Sequence, residues 1–139
     1  MQSNVKDSPW IPRGFRAAGA INILGILLFS RGFDNPVLSE WQPQVFSTFG
    51  QGAVILWGLA YLAVAHSYRH VKWLVAVFCL EKLVYGGVWI AWMAENSADL
   101  PTLLAASPLA GIFFTIYGPN DLFFALFFGW VFLRVHRGE

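Results

Sequence analysis

Charge is scarce in this sequence. Only 12% of its 139 residues are charged, about half of the roughly 25% typical of soluble domains. Hydrophobic residues make up 57% of the chain. A globule of this length has a core, but it could not hide so much Phe, Trp, Leu and Val from water. The solvent that fits this composition is lipid. The single cysteine, Cys79, rules out an intramolecular disulfide, and its apolar surroundings leave the redox compartment undefined. A net charge of +1, with no basic tail or acidic run, removes the long-range attraction that nucleic acid would need.

The missing motifs exclude further chemistry. There is no Gly-rich phosphate loop, nucleophile elbow, HExxH, CxxC or haem signature, so no cofactor is expected. No Ser-His-Asp or Cys-His set presents itself. The first ten residues are polar, and the first apolar run is expected to act as an uncleaved anchor.

What the sequence does contain is four apolar runs. A transmembrane helix needs about 20 mostly apolar residues. The runs at about 12–30, 46–66, 71–94 and 108–133 meet or approach that length. The first carries Arg13 and Arg16 in its opening turns, where long basic side chains can snorkel to the headgroups. The fold class this implies is all-α: one polytopic membrane domain over 1–139, a bundle of four transmembrane helices.

Charge placement argues for the same count. Four spans put Lys6, Arg13, Arg16, Arg69, Lys72, Arg134 and Arg137 on one side and Arg31 alone on the other, beside Asp34, Glu40, Glu95 and Asp99. That bias predicts both termini and the turn at 67–70 in the cytoplasm. Trp10, Trp73 and Trp130 fall near the inner interface, and Trp41, Trp89 and Trp92 near the outer one. In the longest connection, Asp34-Asn35-Pro36 reads as a turn, with Val37, Leu38 and Trp41 placed to lie on the membrane surface.

The chemistry-bearing residues sit deep in the third and fourth runs. Counting 1.5 Å per residue, Glu81 and Lys82 lie roughly 15 Å from the cytoplasmic end and Asp121 roughly 19 Å. Asn22 falls at a similar depth, Tyr85 is one turn from Glu81, and Tyr117 one turn from Asp121, which follows Asn120. Three such charges facing lipid would cost on the order of 9 kcal/mol, so they must face inward or pair. Glu81 and Lys82 are about 100° apart around one helix, which makes Lys82 a natural bridge to Asp121. Two carboxylates against one ammonium do not balance, and one shared or retained proton is the simplest resolution.

The other features point mostly to packing. Gly118-Pro119 is expected to interrupt the fourth span just before Asn120 and Asp121. Gly19, Gly25, Gly52, Gly58, Gly86 and Gly87 read as close helix contacts. His66 and His70 have the i, i+4 spacing of a metal pair, but no third ligand is near, and no metal site is expected.

Four short glycine-rich spans, with the second and third joined by a tight basic turn, loosely resemble the DoxX-like group of small bacterial membrane proteins. The likeness covers roughly residues 15–94 and rests on hydropathy and on Gly50, Gly52 and Gly58. It implies a small four-helix protein of a bacterial inner membrane and carries over no functional residue.

Three functions fit these residues. The first is a non-enzymatic membrane protein whose inward cluster of Asn22, Glu81, Lys82, Tyr85, Tyr117, Asn120 and Asp121 binds a small or lipophilic ligand or docks a larger membrane complex. The second is an oligomeric proton-coupled transporter, since four helices are few to enclose a path. The third is a membrane-embedded acid–base enzyme such as an isomerase, using Glu81 or Asp121. The expected partners are the lipid bilayer, a lipophilic small molecule, and a second copy or a larger complex, and not nucleic acid.

Overall fold

A computed structural model describes residues 8–139. Lys6 and most of the polar N-terminal stretch lie outside the described residues. Helices α1 (Trp10–Phe29), α2 (Pro36–Trp41), α3 (Pro43–Phe46), α4 (Thr48–Val64), α5 (Lys72–Asn96), α6 (Leu100–Ala106) and α7 (Pro108–His136) account for nearly all of them, with 3-10 turns at Tyr68–His70 and Ser97–Asp99 and no strand among the described residues. Three helical stretches are long and apolar enough to cross a membrane: Trp10–Phe29, Lys72–Ala106 and Pro108–His136. By length and composition they mark an integral membrane protein.

α4 is the exception, at 17 residues. The sequence suggested a longer run, 46–66, but proline at position 43 starts a separate short helix, and the Ser47 hydroxyl caps α4 by accepting from the Gly50 N–H at 3.1 Å. Side-chain capping of this kind satisfies a donor that the first turn leaves open. At its other end α4 stops at Val64, so His66 and His70 do not share a helix. His66 instead meets the Arg16 guanidinium, and among the described residues no group of three His, Cys, Asp or Glu side chains could hold a metal.

The four long helices run antiparallel in sequence order. α1 meets α4 through Arg16–His66 at one end and Asn22–Val54 further along. At the crossing, a Cβ built on Gly19 would stand 2.7 Å from the Gly58 carbonyl, so only glycine permits this approach of the two backbones. α5 meets α7 through Trp73–Phe132 near one end and Trp92–Phe114 near the other. Arg13, Arg16, Arg69, Lys72, Arg134 and Arg137 therefore gather at one end of the bundle, and Arg31, Asp34, Glu40, Glu95 and Asp99 at the other.

The core is aromatic and falls into two clusters. Phe15, Tyr61, Phe78, Phe124 and Phe128 fill the end where the basic residues collect. Phe46, Trp92, Phe113, Phe114 and Tyr117 fill the other. Leu38 is fully buried in the second cluster and Trp41 packs on Trp92, so the 31–45 connection plugs that end of the bundle instead of lying out on the membrane. The Trp41 carbonyl accepts from the Trp92 indole at 3.1 Å. At the basic end, Trp10 and Trp130 pair at 4.9 Å and remain exposed, as interfacial tryptophans do.

α7 passes through Pro119 as one continuous helix, so the expected interruption at Gly118-Pro119 is not present. Gly118 serves packing: a Cβ there would fall 1.9 Å from the Trp89 ring, whose indole N–H donates to the Phe114 carbonyl at 2.7 Å. That carbonyl is one that an uninterrupted helix would pair with residue 118 alone.

Candidate functional site

Between the two aromatic clusters lies a layer of polar side chains drawn from all four long helices. At its centre is Lys82 on α5, with 1% of its surface exposed. Its ammonium donates to Asp121 Oδ1 on α7 at 2.7 Å and to Asn22 Oδ1 on α1 at 3.0 Å. It also stands 5.3 Å from the centre of the Tyr61 ring on α4, within range of a cation–π attraction. Asn22 is held in turn, its amide donating to the Val54 carbonyl at 3.1 Å. The bridge from Lys82 to Asp121 that the depth count suggested is thus formed.

Glu81 points elsewhere, as the turn of a helix between successive residues requires. It accepts from the Tyr61 hydroxyl, and both residues are buried. Tyr61 was not identified from the sequence. It is uncharged and sits in a run whose only obvious quality is hydrophobicity, although a tyrosine away from both interfaces needs a hydroxyl partner.

Asn120 donates to Asp121 Oδ1 at 3.4 Å, a weak contact. Tyr117 shares a face of α7 with Asp121 but donates to Gln42 Oε1 at 2.7 Å, tying α7 to the plug of α2 and α3. Gln42, 4% exposed, was missed because its burial depends on the path of a loop. Tyr85 makes no hydrogen bond among the described residues and lines an open space.

That space is a cavity of about 110 Å³. All seven sequence-identified residues, Asn22, Glu81, Lys82, Tyr85, Tyr117, Asn120 and Asp121, line it. Its walls come from one face of α1, including Gly25, Ile26 and Phe29, and one face of α7, including Phe113 and Ile116. Ile21 and Ile116, each 46% exposed, stand at its rim. The cavity is therefore a gap in the seam between α1 and α7. The seam is closed on one side of the gap by Phe15 against Phe127 and Phe128, and on the other by Phe29 against Phe113. A side chain at Gly25 would meet nothing within 4 Å, so this glycine borders the gap and does not join two helices.

Chemically, the arrangement joins an apolar chamber to one ion pair, a second carboxyl group and a row of aromatic faces. Asp121 Oδ2 and Glu81 Oε1 receive no hydrogen bond among the described residues. No protein-family model matches the chain, and neither a curated protein nor a solved structure matches it.

Proposed function

We propose that this protein crosses the membrane four times, with both ends on the cytoplasmic side of a bacterial inner membrane, and that its cavity receives a small lipophilic ligand from the surrounding lipid. Four spans are supported by the antiparallel order of the helices, since α4 runs back along α1 and returns the chain to the basic end. Orientation follows from the basic residues gathered there. The inner-membrane setting rests on the resemblance to DoxX-like proteins alone.

The observation that carries the ligand reading is the rim. Ile21 lies near the middle of α1 and Ile116 about two turns inside α7, both on the outward surface of the bundle, where a four-span protein meets acyl chains. Toward the basic end the cavity is stopped by Tyr61 packed on Phe78 and Phe128 at 4.9 and 5.0 Å. Toward the other end Phe46 packs on Phe113 and Tyr117 at 4.8 and 5.0 Å. A chamber closed at both ends and open at its side takes its occupant from lipid, which favours a binding role over a proton-coupled path joining two aqueous faces.

A lipid-soluble alkyl diazirine tests this in nanodiscs. Photolysis should place adducts on Glu81 and Asp121, although both are over nine-tenths buried. In Gly25→Trp, whose indole fills the open space, those adducts should fall to background while labelling of exposed Leu24 and Phe123 persists. Unlabelled carboxyl groups in the parent protein would refute the lipid-open cavity.

A further inference from the structure

We propose that the ligand is a lipophilic amine, which arrives neutral from lipid and is held in the cavity as its ammonium ion. This rests on the lipid-open cavity above and names the chemistry that would fill it.

The first observation is charge. The Lys82 ammonium is matched by Asp121 at 2.7 Å. Among the described residues Glu81 has only the neutral Tyr61 hydroxyl as a donor. With every group ionised the enclosed layer would carry one excess negative charge, and an unmatched buried charge is costly. Either the layer keeps a proton or it takes in a positive ligand. An arriving amine reconciles the two: the proton moves from the carboxyl group to the amine nitrogen, which leaves a carboxylate and an ammonium in contact. No other reactant is needed.

The second observation is which hydrogen-bonding groups remain unused. Most of the strong donors around the cavity are already engaged. Lys82 donates to Asn22 and Asp121, Asn22 to Val54, Tyr61 to Glu81, and Tyr117 to Gln42. Left unused are two acceptors, Glu81 Oε1 and Asp121 Oδ2. Beside them are the Tyr85 hydroxyl, which donates or accepts, the third ammonium hydrogen of Lys82, and the Asn120 amide with its weak 3.4 Å contact. A carbonyl or anionic headgroup would find few donors, whereas an ammonium finds acceptors.

The third is the wall. Phe29, Phe46, Phe113, Tyr85 and Tyr117 line the chamber, and aromatic faces attract cations through their negative π surface. Lys82 over the Tyr61 ring already displays that pairing within the same layer. The volume, about 110 Å³, is somewhat below the ~150 Å³ that accepts a benzene ring. An amine head and a few methylene groups fit, with the remaining chain leaving between Ile21 and Ile116.

Hexylamine and hexanol, matched in length, separate this proposal from simple lipophilicity. Each is titrated against the alkyl diazirine for Glu81 and Asp121, with its concentration in the nanodisc membrane measured. Hexylamine should protect them at roughly ten-fold lower concentration, as expected when a desolvated charge meets aromatic faces and a carboxylate. The preference should vanish in Glu81→Gln, read on Asp121, and in Asp121→Asn, read on Glu81, with each variant shown to retain its elution volume and thermal midpoint. Equal protection by the alcohol would overturn the amine while leaving the lipid-open cavity standing. Protection by neither, with the carboxyl groups still labelled, would have the same meaning. Carboxyl groups that the diazirine never reaches would bring down both readings.

Discussion

Lys82→Ala should destabilise the bundle by about 3–5 kcal/mol, the cost of leaving a buried charge without its partner. Among the described residues Lys82 is the only cation that touches the polar layer, and it is almost fully buried. Its loss changes the layer from one ammonium against two carboxyl groups to none against two, and it also strips Asn22 of its donor. Lys72→Ala is the control. That side chain lies at the basic end, with its ammonium 5.9 Å from the Trp73 ring, a contact worth about 0.5–1 kcal/mol when exposed. Thermal midpoints in one detergent give the comparison. Equal losses would mean that Lys82 is not held in the interior.

Asp121→Asn changes the layer in the opposite direction. One ammonium then faces one carboxyl group, so the charges balance. The amide oxygen can still accept from Lys82, and the amide is cheaper to bury than a carboxylate. Stability should stay within about 1 kcal/mol of the parent or rise, while ligand binding and any phenotype rescued by the parent gene are lost. A structural cluster predicts a different result, because a variant that keeps shape and hydrogen bonds would then complement a deletion in full. Full complementation by Asp121→Asn would remove Asp121 from the site.

These two substitutions concern the part of the molecule that was most legible in the sequence. Burial cost forces charged residues at the midplane inward, and a rise of 1.5 Å per residue puts Lys82 and Asp121 at matching depth. Those two rules are enough to pair residues 39 apart. The partner of Glu81 was not legible, because choosing Tyr61 requires knowing which face of α4 turns inward, and a run this uniformly apolar carries no such mark.

The glycines and Pro119 divide in the same way. Composition alone does not separate Gly19 and Gly58, which join two helices, from Gly25, which borders the cavity. Gly118-Pro119 looked like a break because proline removes a helical hydrogen bond. α7 nevertheless continues, with the glycine accommodating Trp89. The connection at 31–45 was the least legible of all. Its apolar residues suit a membrane surface as well as a core, and only the fold shows Leu38 buried and Gln42 bound to Tyr117.

The claim on which the rest depends is that the gap between α1 and α7 opens to lipid and not to water. A nitroxide at Gly25→Cys, in a Cys79→Ala background, reads this directly, because a side chain there projects into open space along the cavity wall. In membranes, collisions with molecular oxygen, which concentrates in acyl chains, should dominate over collisions with a water-soluble nickel chelate. Dominance of the nickel chelate would place water in the chamber, contradict the ligand reading, and favour a proton-coupled path through the same carboxyl groups.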